Sequence, residues 1–385
     1  MMIAEKKSFA IGIITRRAGY NFGSSLQAYA IQRVIEKLGY SALILDYDET
    51  SKNPLWRVRP FLDDSAYRFM NSVPMLSRRL FSTKHKELCD RDAQISKFSA
   101  FEKSHLKLTP KTYRSSRKLA SAVSDCDICI CGSDQIWSPL LFDPTMFLDF
   151  CRKIPVKTVS YAPSFGVGEI NTHRDEIREL LNNIDIISVR ENEGADIIRE
   201  LTGRDVPVVL DPTLLLDVDD WRAIAEPSGR KTPYILCYFL GEKRIPYRFL
   251  SEFSRHTGYE LFNVSTFRNR NDIPGDSART FSPQEFVGAV ADAAFVCTDS
   301  FHGTIFSILF ERRFMTFERF GSERHGQNSR IHTLLDHMNL NARLIPFDQG
   351  YCSNAQAIDY EVVRPSLNRN RETSLNFLKA ALESK

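Results

Sequence analysis

The chain of 385 residues has no run of 18 apolar residues, so no transmembrane helix is expected. It also lacks an excess of either charge. Lys and Arg number 51 against 48 Asp and Glu, and the resulting +3 is too small to argue for nucleic acid as a partner. Cysteine is sparse at eight residues, and only Cys126, Cys129 and Cys131 cluster. No second Cys-x-x-Cys or His-x-His follows at a spacing that would complete a zinc site, so no metal is expected. Those three lie in an apolar run where cysteine packs as a small hydrophobe, and free thiols suit a reducing cytoplasm. Lys6 and Lys7 precede a short apolar run, but Arg16 and Arg17 close it, so it reads as a first strand and not a signal peptide. No internal repeat or low-complexity tract is visible. A folded cytoplasmic protein with length for two cores remains.

What is present is a succession of apolar runs. Strands are predicted over residues 9–14, 42–46, 127–131, 158–162, 184–189 and 206–210. A helix over 24–38, closed by Gly39, separates the first two and makes a βαβ unit, the seed of a parallel sheet. A second set follows the crossover around Trp221 and Pro227. Its strands are expected over 233–240, 259–264, 293–297 and 314–317, with helices over 246–256, 283–292 and 329–338. The fold class is therefore α/β, with two Rossmann-like domains facing a central cleft. Residues 1–218 form the first and 219–345 the second, and a helical tail within 346–385 packs back across both.

Residues 52–105 interrupt the alternation. Between 52 and 91 lie nine Lys or Arg and four acids, interleaved with Trp56, Phe61, Tyr67, Phe69 and Phe81. Such a segment suits an anionic membrane surface or a lipid diphosphate, and a solvated helical insertion is the plainer alternative.

Each apolar run ends in a polar or glycine-bearing turn, and in a parallel sheet these turns gather at the carboxyl edge, where ligands bind. The most pointed of them is Thr298-Asp-Ser-Phe-His-Gly-Thr304, which brings an imidazole, hydroxyls and free backbone N–H groups together at a helix start. Asn21-Phe-Gly-Ser-Ser25 and Gly132-Ser-Asp-Gln135 occupy equivalent positions in the first half, as does Ser164. A plain helix cap by Ser24 is the simpler reading of the first of these loops.

In order along the chain, Asn21-Phe-Gly-Ser-Ser-Leu-Gln-Ala-Tyr, Cys131-Gly-Ser-Asp-Gln-Ile-Trp, Val159-Ser-Tyr-Ala-Pro-Ser-Phe-Gly, Ile187-Ser-Val-Arg-Glu, Val209-Leu-Asp-Pro-Thr, the 298–304 motif and Asn328-Ser-Arg-Ile resemble the polysaccharide pyruvyl transferase family. Individually several are weak, but their order over residues 9–340 is specific. The resemblance implies a glycosyltransferase-B-like fold and transfer of pyruvate from phosphoenolpyruvate onto a sugar, often lipid-linked, as a ketal. It implies no cofactor beyond that co-substrate, and a place in the cytoplasm, at most peripheral to the inner face of the membrane.

Under this resemblance His302 and Arg190 are functional, with Asp134 a candidate base and Asp299 equally ambiguous. Ser300, Gly303, Thr304, Arg319 and Arg330 are expected near the donor. Asn21, Gly23, Ser24, Gly132, Ser133, Gln135 and Ser164 are expected to line the acceptor side or the cleft. An imidazole exchanges protons near neutral pH, and a guanidinium fork grips carboxylate or phosphate. Two other readings stay open: a nucleotide-sugar glycosyltransferase with the same fold, and a non-catalytic carbohydrate-binding protein.

Overall fold

The computed structural model describes residues 10–17, 19–49, 85–241, 245–266, 273–278, 280–321, 328–346 and 357–384. Most of the basic segment, 51–84, lies outside the described residues. The elements of the first half are β1 (Ala10–Ile14), α1 (Phe22–Lys37), β2 (Ser41–Ile44), α2 (His85–His105), α3 (Ser116–Ala122), β3 (Ile128–Cys131), β4 (Lys157–Ser160), α4 (Arg174–Asn182) and α5 (Asn192–Thr202). A short helix, α6 (Val218–Arg222), leads to β5 (Tyr234–Tyr238), α7 (Tyr247–Thr257), β6 (Glu260–Val264), β7 (Asp276–Ala278) and α8 (Pro283–Asp292). Then come β8 (Phe295–Thr298), α9 (Phe301–Leu309), β9 (Arg313–Phe317), α10 (Ser329–His337), β10 (Leu344–Ile345) and α11 (Tyr360–Glu383).

Two parallel sheets result, ordered β2-β1-β3-β4 and β10-β9-β8-β5-β6-β7. This is the expected pair of Rossmann-like units. In each sheet the strand order reverses beside the first strand, between β1 and β3 and between β5 and β8. Those are the switch points at which a crevice opens for ligands.

The strands expected over 184–189 and 206–210 are reduced to isolated bridges, Val159 to Ile186 and Val189 to Val208. Some backbone pairing persists there, with Ser160 N donating to Ile186 O at 2.8 Å and Ser188 N to Ser160 O at 3.2 Å. The hydroxyls add to it: Ser188 Oγ donates to Ser160 O at 2.9 Å and Ser160 Oγ to Ser188 O at 3.0 Å. Pro207, with no N–H, cannot donate to a neighbouring strand.

Helix α1 is buried on nearly every side, its Ser24, Ser25, Gln27 and Gln32 included, because it lies between the two units. Its Phe22 ring stacks on Phe98 of α2 at 5.4 Å and on Phe286 of α8 at 4.7 Å. One continuous core therefore includes Ile11 and Leu26 from the first unit and Val296 and Phe306 from the second. Helix α11 ties the units again. Near its start Tyr360 Oη donates to Arg312 O at 2.6 Å, and further along Ser374 Oγ accepts from Leu210 N at 3.0 Å. No helix among the described residues is long and apolar enough to cross a membrane.

Candidate active site

The first half of the site is built by the turn after β3. Gln27 of α1 accepts from Ser133 N at 3.1 Å and donates to Arg16 O at 2.8 Å and Ser24 O at 2.9 Å. One buried amide thus joins the turns after β1 and β3. Gly132 has φ +131°, and a Cβ there would stand 2.0 Å from Tyr161 O, so only glycine fits. Asp134 follows in the left-handed region at φ +68°. Its carboxylate accepts from Ser24 Oγ at 2.5 Å and from Gln135 N at 2.8 Å.

Arg190 enters from the turn before α5 and is almost fully buried. Its Nη1 lies 2.6 Å from Asp211 Oδ2 and 3.4 Å from Ser133 Oγ, and its Nη2 is 3.9 Å from Asp134 Oδ1. Nε and Nη2 have no hydrogen-bond partner. Burial opposes the charge on Asp211, but His302 and then Arg190 outweigh it and hold the carboxyl far below the usual range. The same contest, won by Arg190 ahead of His302 and Ser24, keeps Asp134 below its ordinary value. Through these contacts Asp134 fixes Ser24 and stands beside Arg190.

The second half comes from the β8–α9 junction. Helix α9 starts at Phe301, because Ser300 Oγ accepts from Gly303 N at 3.3 Å and caps it. His302 therefore sits in the first turn. It points across the seam onto α1, where a Cβ on Gly23 would be 2.0 Å from its Nδ1. On the other side Nε2 stands 3.6 Å from Asp211 Oδ2, an ion-pair distance but too long for a hydrogen bond, and it has no hydrogen-bond partner. The Arg190 guanidinium lies 4.5 Å from the Phe301 ring centre, and that of Arg330, at the start of α10, lies 5.7 Å from it. Burial, followed by the charge of Arg190, pulls Arg330 down to about 10, so it stays cationic at neutral pH. Its Nε is unpartnered too.

Around this centre the remaining predicted residues divide. Gly23, Ser24, Ser133, Asp134, Arg190, His302 and Arg330 converge. Gly132 shapes the turn, and Asn21, not Ser24, caps α1 by accepting from Ser24 N at 3.3 Å. Gln135 and Ser164 serve the turn through backbone: Gln135 O accepts from Arg16 Nη1 at 3.0 Å, and Ser164 N donates to Asp134 O at 2.9 Å. Thr304 is committed to the fold, with its hydroxyl 3.0 Å from Ser300 O and 2.7 Å from Thr316 Oγ1. Gly303 is pressed against Thr298, whose Oγ1 would be 2.6 Å from an added Cβ. Asp299 is structural as well, accepting from Leu240 N at 2.7 Å, Gly241 N at 2.8 Å and Arg319 Nε at 3.1 Å. Arg319 is thereby engaged.

Sequence reasoning missed Asp211, which binds Arg190 and faces His302. Its only signal was the Asp-Pro-Thr turn closing a strand. It missed Glu191 too, which is fully buried, with Oε1 accepting from Phe165 N at 3.1 Å and Oε2 unpartnered. Burial raises this carboxyl above its ordinary value despite Arg190 and Arg330.

Solved structures with similar folds include an alpha-glucosyltransferase in complex with UDP and DNA (11% identity, TM-score 0.47, 96% of this chain and 95% of that one). Another is the UDP-N-acetylglucosamine 2-epimerase from Rickettsia bellii (10%, 0.47, 97% and 95%), and a third the E. coli ADP-heptose lps heptosyltransferase II (13%, 0.42, 94% and 99%). No curated protein matches the sequence. The family model for polysaccharide pyruvyl transferase matches residues 21–319, a span that holds Gly23, Asp134, Arg190, Asp211 and His302. The chain belongs to the polysaccharide pyruvyl transferase family.

Proposed function

We propose that this site moves a pyruvyl group from phosphoenolpyruvate onto two hydroxyls of one sugar, closing a cyclic ketal in a surface polysaccharide precursor. The carrying observation is the pair of guanidiniums flanking Phe301, with three unpartnered nitrogens between them, beside an unpartnered His302 Nε2. Phosphoenolpyruvate presents a carboxylate and a phosphate close together, and two arginine forks match that demand.

In the reaction a proton adds to C3 of the enol, and the first sugar oxygen bonds to the electrophilic C2 as its hydroxyl proton leaves. The C2–O bond to phosphate then breaks, and the second hydroxyl closes the ring and gives up its proton. His302 is the group suited to exchange these protons. Asp211 supplies a fixed negative charge 3.6 Å from Nε2, facing the positive charge that develops on the ring as a proton is taken up. The acceptor on this reading is lipid-linked, and the basic segment brings the protein to an anionic membrane face.

Phosphoenolpyruvate should raise the melting temperature of the protein, because a ligand bound to the native state stabilises it. The measurement is a thermal shift with and without a soluble acceptor. No shift with phosphoenolpyruvate, set against a clear shift with UDP- or GDP-sugars, would replace this reading with that of a nucleotide-sugar glycosyltransferase.

A further inference from the structure

Arg16 and Arg17, adjacent in the β1–α1 loop, turn to opposite sides. Arg16 reaches Gln135 O and Glu49, toward the turn after β3. Arg17 reaches Asp46 and, at 2.8 Å, Glu102 of α2. On that second side the loop and α2 enclose a cavity of about 250 Å³, lined by Arg17, Tyr20, Ile95, Phe98, Ser99 and Glu102. We propose that this cavity holds one neutral pyranose unit of the acceptor.

Three features point to an uncharged sugar. The Tyr20 and Phe98 rings meet edge to face at 5.9 Å and 89°, giving the cavity an aromatic wall for the apolar C–H face of a pyranose. Planar charged groups and the Ser99 hydroxyl offer acceptors and donors to ring hydroxyls. The single cation, Arg17, is already neutralised by Asp46 and Glu102. An incoming phosphate or carboxylate would find the only lining cation already paired, whereas a polyol needs no free charge. Position fits as well. Phe98 stacks on Phe22, and the next residue, Gly23, is the one on which His302 rests.

The inference rests on the pyruvyl transfer reading but is tested apart from it. Methyl glycosides of glucose, galactose, mannose and N-acetylglucosamine are titrated into the full chain and followed by saturation-transfer NMR, with phosphoenolpyruvate binding measured in the same samples. At least one glycoside should bind, and Glu102→Gln should weaken it about tenfold, the usual effect of losing one charged hydrogen-bond acceptor. Ser99→Trp, which fills the cavity while leaving the ion pairs intact, should abolish glycoside binding even if Glu102→Gln fails to fold. Both variants should bind phosphoenolpyruvate as the parent does. Absence of any glycoside signal, or an equal signal in Ser99→Trp, overturns the subsite. Glycoside binding that Ser99→Trp abolishes, in a protein that ignores phosphoenolpyruvate, leaves the subsite standing and removes the donor.

Discussion

At the residue scale the site depends on three buried groups, Arg190, Asp211 and His302, which satisfy one another only in part. His302→Ala is expected to lower turnover by roughly two to four orders of magnitude, measured as phosphate release. His302→Asn should keep more of the donor binding than Ala does and remain nearly inactive, since an amide hydrogen-bonds but does not exchange protons. Turnover of the Asn variant within a few-fold of the parent would leave His302 as a hydrogen-bond donor only. Asp211→Asn leaves the Arg190 charge buried without its closest partner, and breaking a buried pair in this way costs about 3–5 kcal/mol in urea unfolding. The buried carboxyls also differ in sign. Asp211 and Asp134 lie below their unfolded values, so their contribution is present above about pH 4 and is lost as pH falls toward the folded values. Glu191 lies above its own, so its contribution is full below about pH 4.3 and is lost as pH rises through the folded value. Glu191→Gln should therefore gain stability relative to the parent between pH 5 and pH 8. An unchanged difference across that range would show that Glu191 stays ionised without penalty.

At the scale of elements, the contact between α1 and α9 sets the position of the imidazole. Gly23 lies in the first turn of α1 because Asn21 caps that helix, and His302 lies in the first turn of α9 because Ser300 caps that one. Two capped helix starts thus meet head to head. Gly23→Ala would drive a methyl into the His302 ring. The expected result is a folded protein with activity down by about 10²-fold, the order of loss from a misplacement near 1 Å. Circular dichroism and phosphate release together check it, and full activity would mean that the ring moves without consequence.

At the scale of the whole molecule, the two sheets share a core through α1 and are tied a second time by α11. Leu378, fully buried in α11, joins that common core. Leu378→Ala should cost about 2–5 kcal/mol and lower one cooperative transition instead of splitting it in two. Trp137, in the core of the first unit, and Trp221, packed 4.8 Å from Phe306 of α9, report the two regions by fluorescence. Two separate transitions would show that the units unfold independently.

The sequence by itself determined the alternation of elements, the parallel sense of the sheets and the polar turns at their carboxyl edges. Period and punctuation are local properties, and a parallel sheet follows from the βαβ order. The turns that hold His302 and Arg190 stand out in sequence because each ends an apolar run, and the family resemblance singles out these two residues within them. Tertiary structure alone decided which of the polar turn residues meet. Asp299 and Thr304 look in sequence as functional as His302, yet backbone N–H groups and Thr316 claim them. Asp211 looks like a turn residue, yet it lies between Arg190 and His302. The physical reason is burial: a polar group in the seam needs a partner from elsewhere in the chain, and Arg190 and Asp211 are 21 positions apart while Asp211 and His302 are 91 apart. Pairings over such separations are set by how the two sheets and α1 pack, which no local pattern encodes.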